Sequence, residues 1–359
     1  RQGLGQQVFA FGQAGHLHLG AEEVALLAGA TMENWAKVQP PIFGTLFQSS
    51  MDKGERHALG AHFTSEADIQ KIVLPTIVRP WRERIASAKT LDALLALRSE
   101  LERFRVLDPA CGSGNFLYVA YRELVRVEMA LVERLHRDFR SARAGKRKVA
   151  PASFISIKQF RGIDVNEFAV ELAKVTLLLG KKLAYDEVTS SLNVAQFGFA
   201  IDDPLPLDNL DEQIVKDDAL FCDWPAADAL IGNPPYQSKN KMQKEYGAAY
   251  VHRLREKFPN VPGRADYCVY WFRRAHDHLQ DGGRAGLVGT NTIRQNYSRE
   301  GGLDHIVGNG GTITEAVSTQ VWSGEAAVHV SIVNWVKGRV PGKKLLTWQE
   351  GDAVDSPWA

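Results

Sequence analysis

Apolar positions along the chain follow two rhythms. Ile69, Ile72, Val73 and Ile77 recur at helical spacing and predict a helix over residues 66–78, interrupted by Pro75. Ser65 stands where a helix N-cap belongs, after a turn-like Gly60-Ala61-His62-Phe63-Thr64. A second amphipathic helix is expected over 91–101. From residue 104 onward, short apolar runs alternate with longer periodic stretches. The runs predict strands at 104–107, 160–164, 228–232, 283–288 and 328–336, and the stretches predict helices at 116–135, 167–183 and 265–279. Residues 136–150 read as a basic loop, and 21–38 favour a helix that ends before Pro40-Pro41. The apolar segment 41–47 is expected to pack against the main domain. Strand alternating with helix means an α/β fold with a mostly parallel sheet and helices on both faces.

Composition narrows the class. The 359 residues suffice for one large core or a core with a small attachment, with 45% apolar and 24% charged residues, as in ordinary globular material. No apolar run approaches the roughly 18 residues of a membrane span, and no signal-peptide pattern opens the chain. Three cysteines without a CxxC spacing disfavour a disulfide scaffold or a zinc ribbon and fit a cytoplasmic setting. A net charge of +1 means that any affinity for nucleic acid must come from local clusters or from elsewhere. The termini, Arg1 and Ala359, suggest a fragment of something longer.

Two motifs carry the chemistry. Asp108-Pro109-Ala110-Cys111-Gly112-Ser113-Gly114-Asn115-Phe116 runs from a strand through a glycine-rich turn into a helix, where α/β sheets hold nucleotide-like ligands. Glycines alone also mark plain turns. Asp164, ending the next strand, stands where a carboxylate accepts bonds from two vicinal ribose hydroxyls, or it caps the following helix. Gly232-Asn233-Pro234-Pro235-Tyr236 then places an amide, two prolines and an aromatic ring after an apolar strand.

In this order the motifs resemble those of S-adenosylmethionine-dependent DNA methyltransferases that act on an exocyclic amine, over roughly residues 41–337. The likeness is nearest to the methyltransferase portion of large single-chain restriction–modification enzymes, with type I modification subunits as relatives. It implies a Rossmann-like class I fold with a seven-stranded sheet and an N-terminal helical segment. The expected division is a connector over 1–58, the methyltransferase domain over 59–338 and a linker over 339–359. By resemblance, Asp108, Ala110, Gly112 and Gly114 hold the methionine portion of the cofactor, with Asp108 near its amino group. Asp218, or the adjacent Asp217, takes the cofactor's adenine N6, and Thr64 meets its carboxylate or serves only as a cap.

The target amine is a poor nucleophile because its lone pair is delocalised into the ring. Two acceptors, the Asn233 side-chain oxygen and the Pro234 carbonyl, would draw it towards the reactive geometry. Pro235 stiffens the loop, and Tyr236 offers a face to a base turned out of double-stranded DNA. This chemistry calls for no metal. None of Cys111, Cys222 and Cys268 follows a proline, which disfavours cytosine C5 methylation; asparagine favours adenine over cytosine N4. Lys239, Lys241 and Lys244, read as a flexible polar stretch, are candidates for phosphate contact, as is the cluster Arg134, Arg137, Arg140, Arg143, Lys146, Arg147 and Lys148. Trp322 resembles a second ring against the flipped base, with a core tryptophan the alternative. A target-recognition domain or subunit, and any nuclease, are expected outside this segment. The rival readings are a methyltransferase of rRNA or release factor and a non-catalytic scaffold that binds cofactor and DNA.

Overall fold

In the computed structural model, Gly20 and residues 64–138, 155–191, 209–322, 329–351 and 356–359 are described. The chain divides into two compact units, Arg1–Gln39 and Pro40–Ala359, and the described strands and helices all belong to the second. The expected helix over 21–38, the segment 41–47 and the basic residues from Arg140 to Lys148 lie outside the described residues.

Eight strands form one sheet: β1 (Val106–Asp108), β2 (Phe160–Asp164), β3 (Ile214–Lys216), β4 (Ala229–Gly232), β5 (Arg284–Thr290), β6 (Gly311–Val321), β7 (His329–Lys337) and β8 (Leu345–Thr347). Their order is β3-β2-β1-β4-β5-β7-β6-β8. The first five in that order are parallel neighbours, β7 is antiparallel to both β5 and β6, and β8 is parallel to β6. The sheet is therefore mostly parallel, as the alternation implies, but it has eight strands and not the expected seven, because β8 brings part of 339–359 onto its edge. The chain leaves β1 towards β3 and returns on the other side at β4. That reversal opens a crevice at the carboxyl ends of β1 and β4, where open α/β sheets hold ligands.

Side chains of the central strands point alternately to two cores. Val106, Ala229 and Ile231 join one cluster. It is covered by α1 (Glu66–Val73), α2 (Arg79–Ser87), α3 (Leu91–Arg103), α4 (Asn115–Asp138) and α5 (Glu167–Ser191). Leu107 and Leu230 join the other, covered by α6 (Lys239–Tyr246), α7 (Ala248–Lys257) and α8 (Val269–His278). Ser65 caps α1, its hydroxyl accepting the Asp68 N–H at 3.2 Å. Pro75 does not end the helical path, because a π-helical turn over Leu74–Val78 accommodates it and leads into α2. No described helix is long and apolar enough to cross a membrane.

Three expectations change. Helix α4 runs to Asp138, so Arg137 belongs to it and not to a loop, and the guanidinium of Arg134 on the same helix donates to the Ala88 carbonyl at 2.6 Å. The stretch carrying Lys239, Lys241 and Lys244 is the helix α6, not a flexible segment. Strand β6 went unread because register shifts between Ile313/Glu315 and Val317/Gln320 break its alternation.

Candidate active site

The glycine loop joins β1 to α4. Gly112 (φ +50°) and Gly114 (φ +83°) adopt left-handed backbone, which glycine enters without penalty. At Gly114 a side chain is also excluded by space, since a Cβ would stand 2.9 Å from the Ala173 Cα on α5. Three bonds hold the loop over the sheet. The Cys111 N–H donates to the Ile163 carbonyl at 3.1 Å, the Gly112 N–H to Asp164 Oδ2 at 2.9 Å, and the Trp271 indole N–H to the Pro109 carbonyl at 3.1 Å.

Asp108 is completely buried at the end of β1. Its Oδ1 accepts the Ala110 N–H at 3.0 Å, while Oδ2 has no partner among the described residues. Burial pushes this carboxyl up to about 8, the Ala110 N–H opposes that rise, and the charge of Asp164 adds to it. Across the crevice stands Gly232, whose missing Cβ would lie 2.5 Å from Asp108 Oδ1. Asn115, at the start of α4, also keeps a buried Oδ1 without a donor. Two buried acceptors without donors, one of them a carboxylate held above its ordinary range, suit a ligand that brings a cationic donor such as an α-ammonium.

Asp164 is half-buried and accepts one backbone N–H on each oxygen, Gly112 on Oδ2 and Asn166 on Oδ1 at 2.9 Å. It does not cap α5: Asn166 does, its Oδ1 accepting the Ala169 N–H at 3.0 Å. The remaining lone pairs of Asp164 suit vicinal hydroxyls. Burial raises its carboxyl, against the pull of the Asn166, Gly112 and Val165 N–H groups.

Beyond β3, Asp218 is half-buried and Asp217 exposed. Asp218 Oδ1 accepts the Leu220 N–H at 2.9 Å and Oδ2 accepts the Tyr250 hydroxyl at 3.0 Å. Tyr250 and Tyr267 exchange a hydroxyl bond at 2.6 Å, and Tyr246 lies 5.0 Å from Tyr267 between ring centroids. Sequence reasoning missed this tyrosine group; the four-residue spacing of Tyr246 and Tyr250 was its one signal. It also passed over Val165, which directly succeeds Asp164 and is 51% exposed. An exposed apolar residue at a strand's carboxyl end could cover a flat ring.

Asn233 comes after β4 with both ends of its amide engaged. Its Nδ2 donates to Thr64 Oγ1 at 3.2 Å, and the Tyr236 hydroxyl donates to its Oδ1. Burial pushes the Tyr236 phenol well up, so the hydroxyl stays a donor through the neutral range. Pro234 is buried, and the Gln237 carbonyl accepts the Tyr267 N–H at 3.0 Å, which ties the loop to the segment before α8. Asp266 in that segment accepts from Thr290 at 3.0 Å and Thr292 at 3.3 Å on Oδ2.

Thr64, Asp108, Ala110, Gly112, Gly114, Asp164 and residues 233–236 thus gather around the carboxyl ends of β1, β2 and β4, with Asp218 beyond β3. Trp322 is buried in the core that also receives Tyr236, which is the alternative left open for it. Lys241 is exposed on α6, and the side chain of Lys239 lies outside the described residues.

A family model, MmeI, DNA-methyltransferase domain, matches residues 83–347. DNA methyltransferase A of Bacillus subtilis (strain 168) is 27% identical over 318 residues, 86% of this chain and 34% of that protein. The adenine-specific methyltransferase PglX of Streptomyces coelicolor is 26% identical over 254 residues, 61% of this chain and 19% of that protein. Among solved structures, the type IIL restriction–modification enzyme MmeI in complex with DNA superposes with a TM-score of 0.77 at 27% identity, covering 95% of this chain and 46% of that one. The chain spans a third to a half of the length of the first of these relatives and of that enzyme.

Proposed function

The chain belongs to the MmeI DNA-methyltransferase domain family, and from that premise we propose that it methylates the N6 amine of an adenine turned out of double-stranded DNA, with S-adenosylmethionine as donor. The observation that carries the proposal is the Asn233 amide, held at both ends beside the buried acceptor Asp108.

S-adenosylmethionine supplies, when bound, an electrophilic methyl group on a sulfonium. Asp108 and Asn115 would receive its ammonium, Asp164 its ribose hydroxyls and Asp218 its adenine amine; Val165 would cover the adenine ring. Gly112 and Gly114 keep the loop backbone close to the sheet. On the other side of the crevice, Asn233 Oδ1 and the Pro234 carbonyl each accept one hydrogen of the target amine. These two fixed dipoles favour the transition state, in which positive charge grows on that nitrogen, over the flat ground state; as the N–C bond would form the S–C bond would break, the sulfur leaving as a neutral thioether and the extra amine proton passing to solvent. The Tyr236 hydroxyl gives up Oδ1 as the amine arrives, and its half-buried ring borders the base.

In the whole protein, we place this domain beside a target-recognition element and within a restriction–modification setting, in keeping with its relatives. The test is methyl transfer from labelled S-adenosylmethionine to unmethylated DNA, with the product nucleoside identified by mass spectrometry. N6-methyladenine is expected. N4-methylcytosine would move the base assignment, and methylated rRNA or release factor would move the substrate. Cofactor binding without any product would favour a scaffold.

A further inference from the structure

An asparagine amide has an acceptor end and a donor end of nearly equal size, so a half-turn about its last bond exchanges them. For amine methylation only one orientation serves: with Nδ2 towards the target, two donors would face each other. Something must therefore hold the amide the right way round. Thr64 Oγ1, 3.2 Å from Asn233 Nδ2, is the atom placed to do so.

Thr64 is 169 positions away in sequence, is 5% exposed, and precedes the N-cap of α1. Its place is fixed from behind. The Ser65 hydroxyl donates to Asp68 Oδ2 at 2.8 Å, and Asp68 Oδ1 takes the Gln320 amide at 2.8 Å and the Lys71 ammonium at 3.0 Å. Gln320 is on β6, so this group pins the start of α1 to the sheet. Towards Asn233 the Thr64 hydroxyl oxygen is the acceptor.

We propose that Thr64 is a positioning residue for methyl transfer: by accepting the Asn233 Nδ2–H bond it commits the opposite end, Oδ1, to the target amine. The inference rests on the amine-methyltransferase reading and goes beyond a contact with the cofactor. A threonine that merely caps α1 or meets the cofactor would leave the amide orientation alone. When the amine displaces the Tyr236 hydroxyl, the Thr64 bond is the restraint on the amide that remains.

The test compares wild type, Thr64→Val, Thr64→Ser and Thr64→Ala. Single-turnover methyl transfer is measured at saturating S-adenosylmethionine and DNA, and cofactor affinity by calorimetry. Selective 15N-asparagine labelling tracks the Asn233 side-chain amide, assigned by its loss in Asn233→Ala. Thr64→Val, nearly isosteric, should slow transfer about 10–100-fold, the scale of a misplaced reacting group. Its cofactor affinity should stay within about threefold, and its Asn233 amide signal should move. Thr64→Ser should restore both rate and signal; Thr64→Ala gives the same reading if the valine variant does not fold. Full speed at saturation, or a defect confined to cofactor affinity, would overturn the proposal. If the wild type methylates no DNA base, the functional reading falls instead. The amide signal then still decides the positioning role, kept if the signal moves in Thr64→Val and lost if it does not.

Discussion

Lowering the pH from 7 to 6 should weaken the binding of S-adenosylmethionine about tenfold through Asp108. Its carboxyl sits at about 8 in the free protein, chiefly because it is wholly buried. The acid form therefore dominates at pH 7, by about ten to one. An incoming ammonium pairs with the carboxylate and not with the acid, so binding must release that proton. A carboxyl raised in the free protein and lowered by a cation gives affinity that climbs with pH towards about 8. Below that point the slope is about one decade per pH unit, and about 0.9 proton should leave per cofactor bound at pH 7. Between pH 6 and 7 the cofactor's own amine stays charged, so it adds no slope. Calorimetry at pH 6, 6.5 and 7, in buffers of different ionisation enthalpy, reads affinity and proton release together. Asp108→Asn keeps the shape and removes the titration. It should bind at least about tenfold more weakly at pH 7 and show no pH slope. A pH-independent affinity in the wild type, with no proton released, would refute the assignment of Asp108 to the ammonium.

The same geometry sets the outcome of other substitutions. Gly232→Ala drives a Cβ to within 2.5 Å of Asp108 Oδ1, so denaturant unfolding should show a loss of about 1–3 kcal/mol. Asn166→Ala removes the cap of α5 and should cost about 1 kcal/mol of stability while leaving cofactor affinity nearly intact. Asp164→Ala should lower both, with a marked loss of affinity by calorimetry and a lower unfolding midpoint, because its oxygens hold the glycine loop and face the crevice. Tyr236→Phe removes a hydroxyl that must leave Asn233 in any case; it should slow single-turnover transfer less than about tenfold, and Tyr236→Ala, which deletes the ring, should slow it more.

Much of the fold was legible because its central strands are buried on both faces. Such strands read as unbroken apolar runs, and β2 at Phe160–Asp164 coincides with its expected bounds. Edges were harder. Strand β3 has three residues and one side open, β6 is broken by its register shifts, and β8 exposes both leucines. Helix α6 has a polar composition, Lys-Asn-Lys-Met-Gln-Lys-Glu-Tyr, in which Met242 is a buried apolar anchor, so no helical stripe announces it. At the site, local motifs carried Asp108, Gly112, Gly114, Asp164 and Asn233, since a strand-to-helix turn imposes its own residue pattern. What joins distant segments left no local pattern. The Thr64–Asn233 and Asp218–Tyr250 bonds depend on how helices lie over the sheet, and spacing along the chain does not encode that. Asn166 was overlooked as the cap of α5 because Asp164, two residues earlier, fits the same role in sequence.

In the proposed reaction Asn233 Oδ1 draws an exocyclic adenine amine onto a methyl donor held by Asp108. The most direct measurement is the nucleoside product formed on unmethylated DNA from labelled S-adenosylmethionine, for the wild type and for Asn233→Ala, with cofactor affinity measured alongside. N6-methyladenine is expected from the wild type, with a rate at least about 100-fold lower from the variant and cofactor binding retained. Equal turnover by the two proteins would contradict it.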